Sequence, residues 1–329
     1  MYKQYFKLTR NPFDLTPDPV CFVPTKRHCE ALAALYYGVR QHKGFVVVTG
    51  EVGTGKTLLL RCLLGQLKDS KDVDCAYVFN ARLSPTEFLQ YILSDFGLPT
   101  SGKNKCELLL DLGNFLVARS KRNMTTVLIL DEAHHLSEDI LEEVRLLSNL
   151  ETTDDKLLQI VLAGQPELDK KLDSVELRQL KQRIAVRTQL VPLDLEETKG
   201  YIERRLQVAG ADFSLGSLFP EATITAVYRH SHGLPRLINT ICENALIVAY
   251  ANGALNVTPG IIENVAKELR LDVIYEPPPE RTRKPVEIEV LEFLNVMLDA
   301  YTALRRPNTR DSRAVAPAPV EVREREPYI

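Results

Sequence analysis

Gly50-Glu51-Val52-Gly53-Thr54-Gly55-Lys56-Thr57 fits the pattern GxxxxGK[ST] at every fixed position. Its flanks supply the context that such a motif needs. Phe45-Val46-Val47-Val48-Thr49 is a short, β-branched apolar run expected to form a buried strand. From Lys56 to Leu67, the spacing of six leucines predicts a helix. A strand, a glycine-rich turn and a helix in that order aim backbone N–H groups at an anion on the helix N-terminus. The expected ligand is the triphosphate of ATP. Gly50 to Thr57 would cradle it, Lys56 would reach the β- and γ-phosphates, and the Thr57 hydroxyl would ligate Mg²⁺.

A second stretch completes that chemistry. Thr125-Thr126-Val127-Leu128-Ile129-Leu130-Asp131-Glu132 is an apolar strand ending in two carboxylates. Acids at the end of a buried strand are costly unless they are used. Asp131 is expected to hold Mg²⁺ through its water shell, and Glu132 to polarise the attacking water. Asp131-Glu132-Ala133-His134 also matches a DEAH helicase signature, but no QRxGR string follows it. The adjacent His134 and His135 lack partners for a metal, so a supporting or surface role is expected.

The remaining elements alternate. Residues 75–79 read as a second strand, followed by helices over 85–96, 104–121 and 137–150, the last capped by Ser137. Residues 157–165 form the next strand, which ends at Gln165, where a side chain would contact the γ-phosphate or the attacking water. The basic stretch Arg178 to Ile184 then leads into a strand over 185–190. Arg183, with Arg178 second, is expected to reach a neighbouring subunit's ATP site; the planar fork of arginine suits phosphate. Beyond Asp194 the strands stop, and helices over 195–208, 220–230, 235–250 and 259–269 are expected. Gly233-Leu234-Pro235 bends the chain just before Arg236, which is expected to grip the γ-phosphate from these helices.

The ends differ in character. Residues 1–44 carry an aromatic, proline-punctuated segment (Tyr5 to Pro19), suited to lying extended over another surface, then a helix from Lys26 capped by Thr25. Phe13 and Phe22 either wall the adenine pocket or pack on the core. Residues 277–285 read as a Pro-rich linker, 286–304 as an amphipathic helix for oligomerisation or docking, and 310–329 as disordered. Across 329 residues the net charge is −3, which gives no global drive toward nucleic acid. The six cysteines show no ligand-like spacing, so reduced core residues are expected. No apolar window is long enough for a transmembrane helix.

Together these features resemble the ExeA/GspA-type AAA+ ATPases of general secretion. The resemblance covers roughly residues 2–270 and rests on NPFDLTPDP (11–19), HCEALAALYYGV (28–39), GEVGTGKT (50–57), LILDEAHHL (128–136), VLAGQPEL (161–168), LRQLKQRI (177–184) and HGLPRLIN (232–239). Lys7 stands where many such proteins carry Gly. Longer members continue into a membrane span and a peptidoglycan-binding domain, and neither is expected here. The resemblance implies an α/β P-loop NTPase of the AAA+ type, with a five-stranded parallel sheet in the order 5-1-4-3-2 and a C-terminal all-α lid. The expected division is 1–44, a core over 45–192, a lid over 193–272 and a tail over 273–329. It further implies a cytoplasmic, oligomeric Mg²⁺-ATPase that serves a secretion, exosortase or polysaccharide-export system, reaching the inner membrane only through a protein partner. The alternative is a DNA-associated AAA+ regulator of the transposition type, disfavoured because no helix-turn-helix or basic arm is present.

Overall fold

The computed structural model describes residues 1–79, 83–153, 155–212 and 217–271. The linker, the 286–304 helix and the tail expected from the sequence lie outside the described residues. Five strands, β1 (Phe45–Gly50), β2 (Val73–Val78), β3 (Thr125–Leu130), β4 (Gln159–Gly164) and β5 (Ile184–Leu190), pair in parallel in the order β2-β3-β4-β1-β5. Taken from the other edge, that is the expected 5-1-4-3-2. The order sets the carboxyl ends of β1, β4 and β3 side by side, so the loop after β1 faces the acids after β3.

The sheet is buried on both faces, which is why its central strands are almost wholly apolar. Phe45, Val47, Leu128, Leu130, Ile160 and Leu162 face one cluster, while Val46, Val48, Val127, Ile129, Val161 and Ala163 face the other. After a short α1 (Tyr2–Tyr5), helices α2 (Lys26–Arg40) and α3 (Lys56–Lys68) cover the second face. The first face is covered by α4 (Pro85–Asp95), α5 (Lys105–Ser120), α6 (Glu138–Leu147), α7 (Pro166–Leu172) and α8 (Arg178–Lys181). Side-chain caps start several of these helices: Thr25 accepts the His28 N–H, and Ser84 and Asn104 form reciprocal capping boxes. Three elements depart from expectation. The helical turn α1, at the start of the segment read as extended, was not foreseen, nor were α7 and α8. At seven residues or fewer, each is too short to show a helical period.

Helices α9 (Leu195–Val208), α10 (Glu221–Ser231), α11 (Pro235–Ala251) and α12 (Pro259–Glu268) build a third apolar cluster around Ile202, Val227, Ile238, Leu246 and Ile262. The N-terminal segment belongs to it. Phe13 is fully buried there, edge-on to Phe219 at 5.6 Å. Thr9 N donates to Ala209 O at 2.8 Å, and the Arg205 guanidinium donates to the carbonyls of Pro12 and Asp14 at 3.1 and 3.3 Å. Phe22 packs instead with α2 and α3. Of the two alternatives for these phenylalanines, core packing is the one the structure shows. Lys7 has φ +56°, a left-handed conformation that glycine adopts more readily.

One glycine joins the sheet to the helices. Gly233 has φ +72°, and a Cβ there would lie 1.8 Å from the Leu193 carbonyl oxygen. The Leu193 N–H donates to Gly233 O at 2.9 Å, so the bend before Pro235 is wedged against the chain leaving β5. No helix among the described residues is long and apolar enough to cross a membrane. All six cysteines are free.

Truncating Phe13 tests whether the N-terminal segment is part of the helical core. Phe13→Ala should lower the unfolding free energy by about 3–5 kcal/mol in chemical denaturation. A loss below about 1 kcal/mol would show that the segment only lies on the surface.

Candidate nucleotide site

The loop after β1 folds around its own lysine. Lys56 is buried, and its Nζ donates to the carbonyls of Gly50 at 2.8 Å and Glu51 at 3.0 Å. Burial pushes its pKa down, and the carboxylates of Glu132 and Asp131 oppose that shift. A buried ammonium held only by carbonyls gains from an anionic ligand within reach. Thr54 Oγ1 donates to Glu51 O at 2.8 Å and closes the turn.

Thr57 lies beside the first acid. Its Oγ1 donates to Asp131 Oδ2 at 3.0 Å, while Asp131 Oδ1 accepts the Glu132 N–H at 2.9 Å. A hydroxyl and a carboxylate side by side are the hard oxygen donors that Mg²⁺ takes, so the residues present fit the ion. The Tyr77 hydroxyl also donates to Asp131 Oδ2, at 2.6 Å. Burial and the neighbouring Asp131 push its pKa up, so it remains a donor. Tyr77 was not singled out from the sequence. Its signal lies in the sheet order, since β2 runs beside β3 with Tyr77 opposite Ile129.

Glu132 takes φ +51°, and its carboxylate stands 3.4 Å from His134 Nδ1. That nitrogen already accepts the Gln165 N–H, at 3.3 Å. The proton of neutral His134 therefore resides on Nε2, and burial together with His135 pushes its pKa down. Glu132 Oε2 is consequently left with no hydrogen-bond partner among the described residues. Donor atoms of Glu132, His134 and His135 lie within 4.8 Å of one another. One of them, Nδ1 of His134, is engaged by Gln165.

The helices close the site from above. Arg236 N donates to Gly53 O at 3.2 Å, and Gly53, at φ +83°, leaves room where a Cβ would lie 2.8 Å from Arg236 Cβ. The exposed Arg236 side chain shares a cleft of about 340 Å³ with Val52, Lys56, Thr57, Glu132 and Gln165. At the other end the cleft is walled by Leu15, Thr16 and Pro17 and by Tyr201 and Asn239. Arg183 is not part of it. Its NH1 donates to Ser148 Oγ at 2.6 Å, at the end of α6. Arg178, by contrast, is exposed at the start of α8.

A buried histidine props the loop from below. The Thr54 carbonyl, 3.1 Å from His28 Nε2, can only accept, so Nε2 donates. His28 Nδ1 then accepts the Thr25 hydroxyl at 2.8 Å. This arrangement needs neutral imidazole, and burial pushes the His28 pKa below its usual 6.5. Only the Thr25 cap marked this helix start in the sequence. Because the folded pKa is the lower one, the unfolded chain takes the proton more readily. The contribution to stability is complete above the unfolded pKa and is lost as pH falls through the folded one. Melting temperature should therefore fall between about pH 7.5 and about pH 5.5, and His28→Gln should flatten part of that slope while costing about 1–2 kcal/mol at the upper end. An unchanged slope in His28→Gln would exclude His28 as the titrating prop.

Comparison with known proteins agrees with this geometry. Residues 39–172 match the model of an AAA domain. Over 270 residues the chain is 43% identical to general secretion pathway protein A of Aeromonas hydrophila, covering 82% of this chain and 48% of that protein. The chain thus spans about half the length of the curated relative it matches. Among solved structures, the Aeropyrum pernix ORC2 protein superposes with a TM-score of 0.58 at 18% identity, over 81% of this chain and 75% of that one. Cdc6p from Pyrobaculum aerophilum gives 0.59 at 20% identity, over 78% and 70%. Such distant structures share the fold alone. With the sheet order and the converging loop and acids, these matches place the chain among the AAA+ P-loop proteins, as a relative of the ExeA/GspA type.

Proposed function

We propose that the chain hydrolyses ATP with Mg²⁺ as an oligomer and drives or regulates assembly of a secretion, exosortase or polysaccharide-export system. The observation that carries this is the single cleft holding Lys56, Thr57, Glu132, Gln165 and Arg236. Binding would turn Lys56 from the carbonyls of Gly50 and Glu51 to the phosphates. When bound at Thr57 and Asp131, Mg²⁺ would neutralise charge developing on the phosphate oxygens. The unpartnered Glu132 Oε2 takes the proton of the attacking water, Gln165 orients that water, and Arg236 holds the γ-phosphate. Because the backbone of Arg236 also rests on Gly53, loss of the phosphate would be felt by α9–α12, the proposed lid.

In the proposed oligomer a neighbouring subunit completes the site, with an arginine from 178–183. Arg183 would first have to leave Ser148; Arg178 starts exposed. The setting would be cytoplasmic, with the envelope assembly reached through a protein partner that residues 286–304 would contact. General secretion pathway protein A, similar over most of this chain, supports the export setting.

Two experiments test the chemistry. Lys56→Ala should abolish productive ATP binding, whereas Glu132→Gln should keep binding and lose about 10²–10⁴-fold in turnover. Equal ATPase rates in wild type and Glu132→Gln would overturn the base assignment. Inactive Lys56→Ala and Arg183→Ala subunits, once mixed, should regain activity, and an inert assembled mixture would exclude Arg183 in trans. Tight, salt-sensitive assembly on DNA in the presence of ATP would instead favour a DNA-associated role over export.

A further inference from the structure

Elementary chemistry fixes the direction of one hydrogen-bond chain at the far end of the cleft. Arg205 Nε and NH2 lie 3.1 and 3.0 Å from the Tyr201 hydroxyl oxygen. Guanidinium has no acceptor, so the Tyr201 oxygen accepts both bonds and its own hydrogen must point elsewhere. It points to Asn239 Oδ1, at 2.9 Å. The Asn239 amide therefore cannot turn over: its oxygen is committed to Tyr201, and its NH₂ is presented on the other side. Arg205 cannot swing away, because its NH1 is anchored on the carbonyls of Pro12 and Asp14. Among the described residues, no group accepts from Asn239 Nδ2.

Position adds to this. Tyr201, Arg205 and Asn239 are each only 5% exposed, yet all three line the cleft. Asn239 follows Arg236 by three residues, on the same face of α11 and one turn further from the Gly53 contact. The phosphate end of the cleft already holds Lys56 and Arg236. The Asn239 end is walled by Leu15 and Pro17, apolar surfaces suited to a flat ring rather than to an anion. A fixed donor that faces the cleft is placed to bond a ligand that supplies an acceptor.

We propose that Asn239 Nδ2 is a fixed donor to a lone-pair ring nitrogen of adenine, so that the Arg205–Tyr201–Asn239 chain recognises the base of the bound nucleotide. This rests on the nucleotide-binding function proposed above. The chain also ties base recognition to the N-terminal segment, whose carbonyls at Pro12 and Asp14 hold its first member.

The test compares ATP with tripolyphosphate, which carries the phosphates without the base, by calorimetry on the full chain. Asn239→Asp keeps an acceptor for Tyr201 but replaces the donor, and Asn239→Leu removes both. Each should weaken ATP about tenfold or more and leave tripolyphosphate unchanged. With wild type, one of 1-, 3- and 7-deaza-ATP should bind about tenfold more weakly than ATP, and Asn239→Leu should cost that analogue nothing further. Equal weakening of ATP and tripolyphosphate in Asn239→Asp would overturn the proposal, as would deaza analogues that all bind wild type like ATP. If wild type binds neither ATP nor tripolyphosphate, the nucleotide-binding function itself fails.

Discussion

The buried ammonium of Lys56 is the constraint around which the rest is arranged. A cation taken out of water needs compensation, and here it comes from two carbonyls of its own loop and from nearby Asp131 and Glu132. Holding the loop in that curl requires left-handed backbone at Gly53 and Gly55, the Thr54 turn, and the His28 prop beneath Thr54. Bringing the acids alongside requires β4 to lie between β1 and β3, as the sheet order provides. Sheet, turn and helix start are thus parts of one electrostatic arrangement.

In the proposed function, the same arrangement would let the helices respond to a ligand. Arg236 touches Gly53 through its backbone while its side chain lies in the cleft, and Gly233 clamps the preceding bend onto Leu193. The N-terminal segment ties this bundle down further, through Phe13 in its core and Arg205 on the carbonyls beside it. The cleft therefore has one wall from the sheet and one from the helices.

Much of this was legible in the sequence because it rests on local patterns. The phosphate loop, the strand ending in Asp131-Glu132, the caps at Thr25 and Ser137 and the helical periods after Asp194 each declare themselves within a few residues. What was hidden depends on long-range packing. Tyr77 reaches Asp131 only because β2 lies beside β3, and His28 meets Thr54 across 26 positions. Phe13 could be read as a pocket wall or a core residue until Phe219 was placed against it. The commitment of Arg183 to Ser148, 35 positions away, was likewise invisible to a pattern that counts only basic residues before a strand.

The proposed function requires that the helices sense the phosphate through Arg236. The most direct measurement is single-turnover hydrolysis by Arg236→Ala at saturating ATP and Mg²⁺, with ATP binding measured in parallel. Binding should stay within about tenfold of wild type while the hydrolysis rate falls about 100-fold or more, because the arginine acts on charge that develops during the reaction. A variant that hydrolyses ATP at the wild-type rate would contradict it.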